Sequence, residues 1–185
     1  MTKYLLMVAL VCLSAFSAIA QDAKSTGFSG TWNLDVSKSK LDDRARIESM
    51  TMTVTQSETD IKVETATKRL PPPADAGQGG MNMGRGGGRG FGGGDGTFTY
   101  TLDGKESTIS QDGPMGAIPV TLKAVKDVGK LVLSQTRTLN TPNGEITMTT
   151  KETWTLSTDG SSLTVVRESQ SPRGTNSSEF VFTKK

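Results

Sequence analysis

Histidine is absent from the 185 residues, and the single cysteine, Cys12, lies near the start of the chain. Without histidine there is no histidine-based triad, zinc–histidine site or haem–histidine ligation. Without a second cysteine there is no intrachain disulfide, so stability must come from the core and the sheet. Methionine thioethers remain, but scattered methionines are core filler more often than copper ligands. An excess of one charge is also lacking: 21 basic residues face 19 acidic ones. No net basic field recruits nucleic acid or anionic lipid. Beyond the first twenty residues, no apolar run is long enough to cross a bilayer as a helix.

Those first twenty residues have an order of their own. Lys3 supplies a positive start, Leu5 to Leu13 an apolar run, and Ala18-Ile19-Ala20 a small-x-small cleavage site before Gln21. This is the export signature. Lipid attachment at Cys12 fits poorly, because bulky Val11 precedes it and the cysteine comes early. The expectation is a signal peptide over 1–20, a flexible 21–27, one β-domain over 28–185, and a secreted or periplasmic destination.

The domain reads as strands throughout. Trp32, Leu34 and Val36 share one parity against Thr31, Asn33 and Asp35, the pattern of a strand with one buried face. Residues 37–49 are polar and read as either a short helix or a loop. Met50, Met52 and Val54 then alternate, and Ile61 and Val63 follow after a turn that sets Val54 opposite Val63. Phe98, Tyr100 and Leu102 alternate before Asp103-Gly104, a tight-turn signal that would set Phe98 opposite Ile109. Residues 111–119 read as a loop. Val120, Leu122 and Ala124 form the next row, a turn follows near Val128-Gly129, and Leu131, Leu133 and Leu139 return. Asn143-Gly144 and Asp159-Gly160 mark two further hairpins, and Phe180 and Phe182 lie on a last strand. Nine or ten short strands without helical segments between them suit an all-β antiparallel fold: an up-and-down barrel of roughly eight to ten strands, or a sandwich. The barrel is preferred because closure removes exposed edges.

One stretch breaks the rhythm. Pro71-Pro72-Pro73 leads into Gly77–Gly96, which holds twelve of the 21 glycines. Glycine adds no side-chain burial and costs most to order, so residues 71–96 read as a flexible Pro/Gly-rich loop between strands. Arg85 and Arg89 are too few to make it an RNA-binding tail.

Gly30-Thr31-Trp32 at the start of the first strand resembles the glycine-x-tryptophan opening of lipocalins and related calycin barrels. Lys151-Glu152-Thr153-Trp154-Thr155-Leu156, an Asp-Gly turn and Leu163-Thr164-Val165 are similar to a loose group of exported bacterial lipocalin-like proteins of unassigned function. The likeness covers about residues 28 to 183. It implies a barrel whose tryptophan, here Trp32 with Gly30 as a structural partner, packs across one end beneath a late basic residue, with Arg173 or Lys184 the candidates. It also implies a cavity for a small apolar ligand.

Inward parity picks out the residues that could carry function. Glu152 shares a face with Trp154 and Leu156, Arg137 with Leu133 and Leu139, and Arg167 with Leu163 and Val165. Hairpin arithmetic sets Glu152 opposite Arg167, and opposite Gln135 with Arg137 diagonal. Buried charges persist when paired and hydrogen-bonded. Two arginines around one glutamate leave one positive charge over. It is an anchor for a ligand anion, with Trp154 and Tyr100 as aromatic walls, or part of an internal salt-bridge network in a filled barrel with Trp154 as core, unless a slipped register leaves some of these groups in water. Asn176-Ser177-Ser178 matches a glycosylation sequon that a bacterial source would leave unused. No nucleophile–base pair and no paired inward carboxylates are visible, so the reading is not an enzyme and takes no cofactor or metal.

Two functions stay open: a binding protein for a small apolar or amphiphilic, conceivably anionic, ligand, or a structural or protein-interaction module of the periplasm or envelope. Export itself has a direct test. Intact-mass measurement of protein recovered from outside the cytoplasm should show a chain beginning at Gln21. A retained N-terminus, or a lipid on Cys12, would contradict it.

Overall fold

Alternating apolar residues with β-branched threonines and valines between them fit a pleated, half-buried surface, and the chain forms strands almost without interruption. The structure is a computed structural model that describes residues 27–42, 45–71, 95–113, 116–141 and 144–185. Its strands are β1 (Gly30–Leu34), β2 (Ile47–Gln56), β3 (Asp60–Arg69), β4 (Gly96–Thr101), β5 (Glu106–Gly113), β6 (Gly116–Asp127), β7 (Lys130–Thr141), β8 (Gly144–Leu156), β9 (Ser162–Ser171) and β10 (Gly174–Lys184). The expected leader (1–20) and most of the expected Pro/Gly-rich loop (72–94) lie outside the described residues.

All ten strands belong to one antiparallel sheet in the order β4-β3-β2-β1-β10-β9-β8-β7-β6-β5. The meander closes through β1 and β10, where Trp32 faces Lys184 and Leu34 faces Phe182. The sheet's two ends, β4 and β5, approach without forming a hydrogen-bonded ladder. The result is a nearly closed barrel, and no helix occurs among the described residues. In the polar stretch 37–49 the described residues before Ile47 form no helix, Lys40 is held to β10 by reciprocal hydrogen bonds with Glu179, and Ile47–Ser49 already belong to β2.

Several pairings follow the sequence, and some depart from it. Val54 faces Val63 as expected. The Asp103-Gly104 turn forms, with the Lys105 amide donating to Asp103 Oδ1 (2.9 Å), but Phe98 does not face Ile109. Phe98 pairs with Val63 and Ile109 with Val120. β5 carries a single apolar residue, Ile109, and so has no buried face to set a register against β4. The Leu102 amide instead donates to Thr59 O (2.6 Å), which keeps the end of β4 with the β2–β3 turn. Residues 111–119 are not a loop either: β5 runs on to Gly113, which pairs with Gly116 at the start of β6.

The core is the barrel interior. Trp32, Ile61, Leu122, Leu131, Leu133, Trp154 and Leu163 are its largest fully buried side chains. Trp32 sits near the end where the β2–β3, β6–β7 and β8–β9 turns gather, and its indole N–H donates to Phe28 O (2.9 Å). The Lys184 ammonium lies 5.2 Å from the Trp32 ring centroid, a cation–π contact. Of the two candidates for this cover, Lys184 is the residue in place. Gly30 explains why it fits. A Cβ there would lie 2.6 Å from Lys184 Cε, and the backbone holds φ +143°.

Gly30→Ala should therefore lower the unfolding free energy by about 1–3 kcal/mol. The loss in Gly30→Ala/Lys184→Ala should be smaller than the sum of the two single losses, because the clash needs both side chains, while the backbone strain and the lost cation–π contact remain. Denaturant unfolding of the two single variants and the double checks this, and strictly additive losses would contradict the contact.

Candidate functional site

Strands β4, β7, β8 and β9 each send a polar side chain into the barrel, and these groups meet. Glu152 and Arg167 face one another directly across β8 and β9. Arg167 Nε and Nη2 approach Glu152 Oε1 at 2.8 and 2.7 Å, and the Arg167 and Glu152 side chains are 17% and 14% exposed. The second carboxylate oxygen, Oε2, accepts the Trp154 indole N–H at 2.9 Å. The Arg167 guanidinium lies over the Phe180 ring, 4.5 Å from its centroid. Glu152 thus has a countercharge and a donor on each oxygen, which is what a poorly solvated carboxylate requires.

Arg137 belongs to a second, linked cluster. It is only 7% exposed. Its Nη2 donates to Gln135 Oε1 (3.0 Å), and its guanidinium lies 5.8 Å from the Phe98 ring centroid. The Gln135 amide nitrogen donates to the Tyr100 phenol oxygen. Among the described residues no carboxylate lies within salt-bridge distance of Arg137. Burial pulls its basicity below the ordinary guanidinium value, with Arg167 adding to that effect and Tyr100 opposing it. Burial, then the Glu152 charge, pushes the Tyr100 phenol well above its ordinary range.

Parity therefore places Tyr100, Arg137, Glu152, Trp154 and Arg167 inside, as read from the sequence, but one register is shifted. Glu152 faces Leu133 rather than Gln135, while Gln135 faces Thr150 and Arg137 faces Met148. The β7–β8 hairpin pairs Thr141 with Gly144, so its turn is centred one residue earlier than an Asn143-Gly144 turn would be. Every partner moves by two positions, which leaves each side chain on its expected face.

The space left beside these groups is small. Met52, Phe98, Tyr100, Gln135, Glu152 and Arg167 border a cavity of about 30 Å³. That is one water's share of liquid volume, whereas ligand pockets run to roughly 300–1,000 Å³. Trp154 is fully buried and meets Phe28 edge-on at 5.8 Å, so it fills the core rather than walling a void. No cluster of three or more metal-capable side chains occurs among the described residues.

A concavity of ligand size does exist, at the end of the barrel. The β6–β7 turn, the β8–β9 turn and the entry to β1 surround an open groove of about 440 Å³. Half-buried Leu156 and the edges of buried Phe28 and Leu131 line it with apolar atoms, and Lys126 and Lys130 give it cationic groups, with Asp127 also on the lining. Neither lysine has a carboxylate within salt-bridge distance among the described residues. Asp127 Oδ1 accepts the Val128 amide at 2.7 Å. Across the groove Asp159 is held ionised well below the usual carboxylate range by hydrogen bonds from the Ser157 and Ser161 hydroxyls. Sequence reading singled out none of these lining residues as a site. The signal was available, since in a meander alternate hairpin turns fall at the same end of the barrel.

No family model and no curated relative matches the chain. Among solved structures it is similar to the zebrafish ileal bile acid-binding protein complexed with cholic acid, at 15% identity, with 85% of this chain and 98% of that one covered and a TM-score of 0.47. It is also similar to the fatty-acid-binding protein isolated from Manduca sexta, at 11% identity, with 85% and 99% covered and a TM-score of 0.42. Neither likeness carries a ligand over to this chain.

The lumenal pair has a stability signature. Glu152→Ala removes the countercharge of Arg167 and should cost about 3–5 kcal/mol. Lys151→Ala, the exposed neighbour on β8, should change stability by about 0.5 kcal/mol or less. Equal unfolding free energies in denaturant titrations of the two variants would contradict the inward pairing.

Proposed function

We propose that this chain is an exported barrel that binds a small amphiphilic molecule with an anionic head, at the end groove rather than in the lumen. The observation that carries the reading is the groove itself: about 440 Å³, with Phe28, Leu131 and Leu156 beside two lysines that lack carboxylate partners among the described residues. An apolar wall takes a short hydrocarbon segment, and Lys126 and Lys130 take a carboxylate, sulfate or phosphate at its end. The export order of Lys3, the apolar run and Ala18-Ile19-Ala20 supports an action outside the cytoplasm. The lumen supports the opposite half of the statement. Glu152 and Arg167 neutralise each other, Arg137 is held by Gln135 and the Phe98 face, and the free volume is about 30 Å³.

The filled lumen also favours a second reading, a structural or protein-interaction module of the periplasm or envelope with no small-molecule ligand. Calorimetric titration with monomeric dodecanoate separates the two. The binding reading expects saturable one-to-one binding that Lys126→Glu/Lys130→Glu weakens by at least about tenfold and Arg137→Ala leaves nearly unchanged. Loss of binding in Arg137→Ala with the lysine variant intact would move the ligand into the lumen. No binding of dodecanoate or of an alkyl sulfate would leave the interaction-module reading.

A further inference from the structure

The β6–β7 hairpin that forms one wall of the groove has an unusual tip. Two-residue hairpin turns favour asparagine, aspartate and glycine, and here the first turn residue is Val128. Its side chain is 95% exposed, by far the most of any large hydrophobic residue described. Behind it on the outer face, Val125 pairs directly with Val132, and Val125 is 42% exposed. The valines thus form a short apolar finger. Lys126 and Lys130 flank the tip from within the groove, whereas Lys123 is already paired with Glu106 at 3.3 Å. A lone exposed valine on a strand face needs no explanation. A valine at the apex of a turn has an apolar pair behind it and two lysines beside it against one acid, Asp127, whose Oδ1 is turned back onto the Val128 amide at 2.7 Å; this leaves the tip apolar with a net positive charge, as an element entering an anionic headgroup layer requires.

We infer that the β6–β7 hairpin tip docks on an anionic lipid surface, with Val128 among the headgroups and Lys126 and Lys130 against lipid phosphates, so that the groove opens at the membrane. This rests on the proposed groove and names the source of its ligand. The chain's net charge of +2 gives no long-range pull; the attraction is local to this hairpin and decays within a Debye length of the surface. The same two lysines that meet the lipid phosphates line the groove, so a lipid-derived anion would pass from the membrane to the site without losing its countercharge.

Flotation of the exported chain, from Gln21 onward, with vesicles of phosphatidylcholine and phosphatidylglycerol in a 3:1 ratio tests this. The wild type should float with them, and should bind pure phosphatidylcholine vesicles at least about tenfold more weakly. Val128→Ser, which adds no charge beside Lys126 and Lys130, should reduce binding to the anionic vesicles by about fivefold or more while leaving the thermal midpoint unchanged, because the side chain is exposed. The same variant should bind monomeric dodecanoate like the wild type. That separates the two claims: vesicle binding without dodecanoate binding overturns the groove and leaves the docking tip, and the reverse overturns the tip alone. Flotation that is indifferent to Val128→Ser, or equal on both vesicle types, would also overturn it.

Discussion

A carboxylate inside a β-barrel must have its countercharge beside it, and the arrangement of this lumen follows from how Glu152 meets that demand. Arg167 lies directly across the β8–β9 ladder and contacts one oxygen through two nitrogens. Trp154 covers the other oxygen with its indole N–H. A register slip of one residue between β8 and β9 would turn this carboxylate or its partner out to water, so the pair fixes the ladder as firmly as the apolar face does. Phe180 under Arg167 and Phe28 against Trp154 then extend the cluster to β10 and to the chain entering β1. Beside the aliphatic core, this part of the barrel is therefore filled by a bonded assembly of polar heads and aromatic rings. An apolar tail could enter only by separating charges that have little water to replace the lost partner. This constraint moves the binding reading from the lumen to the barrel end.

Arg137 shows how a second cation is held in the same space. It has no carboxylate partner among the described residues, and it is held by the Gln135 carbonyl oxygen and the face of Phe98. Gln135 spends its amide nitrogen on Tyr100, so β4 and β7 are linked across the lumen near the place where β4 and β5 fail to pair. Side-chain contacts through the interior supply part of what the missing backbone ladder does not.

Much of this was legible from parity. Strict alternation placed Glu152, Arg137 and Arg167 inward, and the Asp159-Gly160 turn gave the Glu152–Arg167 pairing without any structure. Gly30-x-Trp32 announced the packed end and a basic cover, although only the coordinates choose Lys184 over Arg173. Errors arose where local signals were ambiguous. Pro142-Asn143-Gly144 offers two turn centres one residue apart, and either choice keeps parity, so alternation could not decide between them. Asp103-Gly104 is a sound turn signal, but turn chemistry does not say whether the strands it joins will pair. β5, with one apolar residue, had no buried face to hold it against β4. The groove was illegible for another reason. Its lining residues come from two turns and the entry to β1, far apart in sequence, and only closure of the barrel brings them together.

The lumen is filled and internally bonded. The Tyr100 phenol reports on it directly, because Tyr100 and Tyr4 are the only tyrosines in the chain. Burial and the Glu152 charge raise the folded-state phenol above its ordinary value of 10. The stability this group contributes is therefore fully present below that pH and is lost as the pH rises through it toward the folded-state value. In a Tyr4→Phe background, phenolate absorbance followed against pH alongside circular dichroism should stay silent through the ordinary tyrosine range and appear only as the fold is lost. A smooth titration near pH 10 with the β-signal intact would show a wet, open interior and contradict the account.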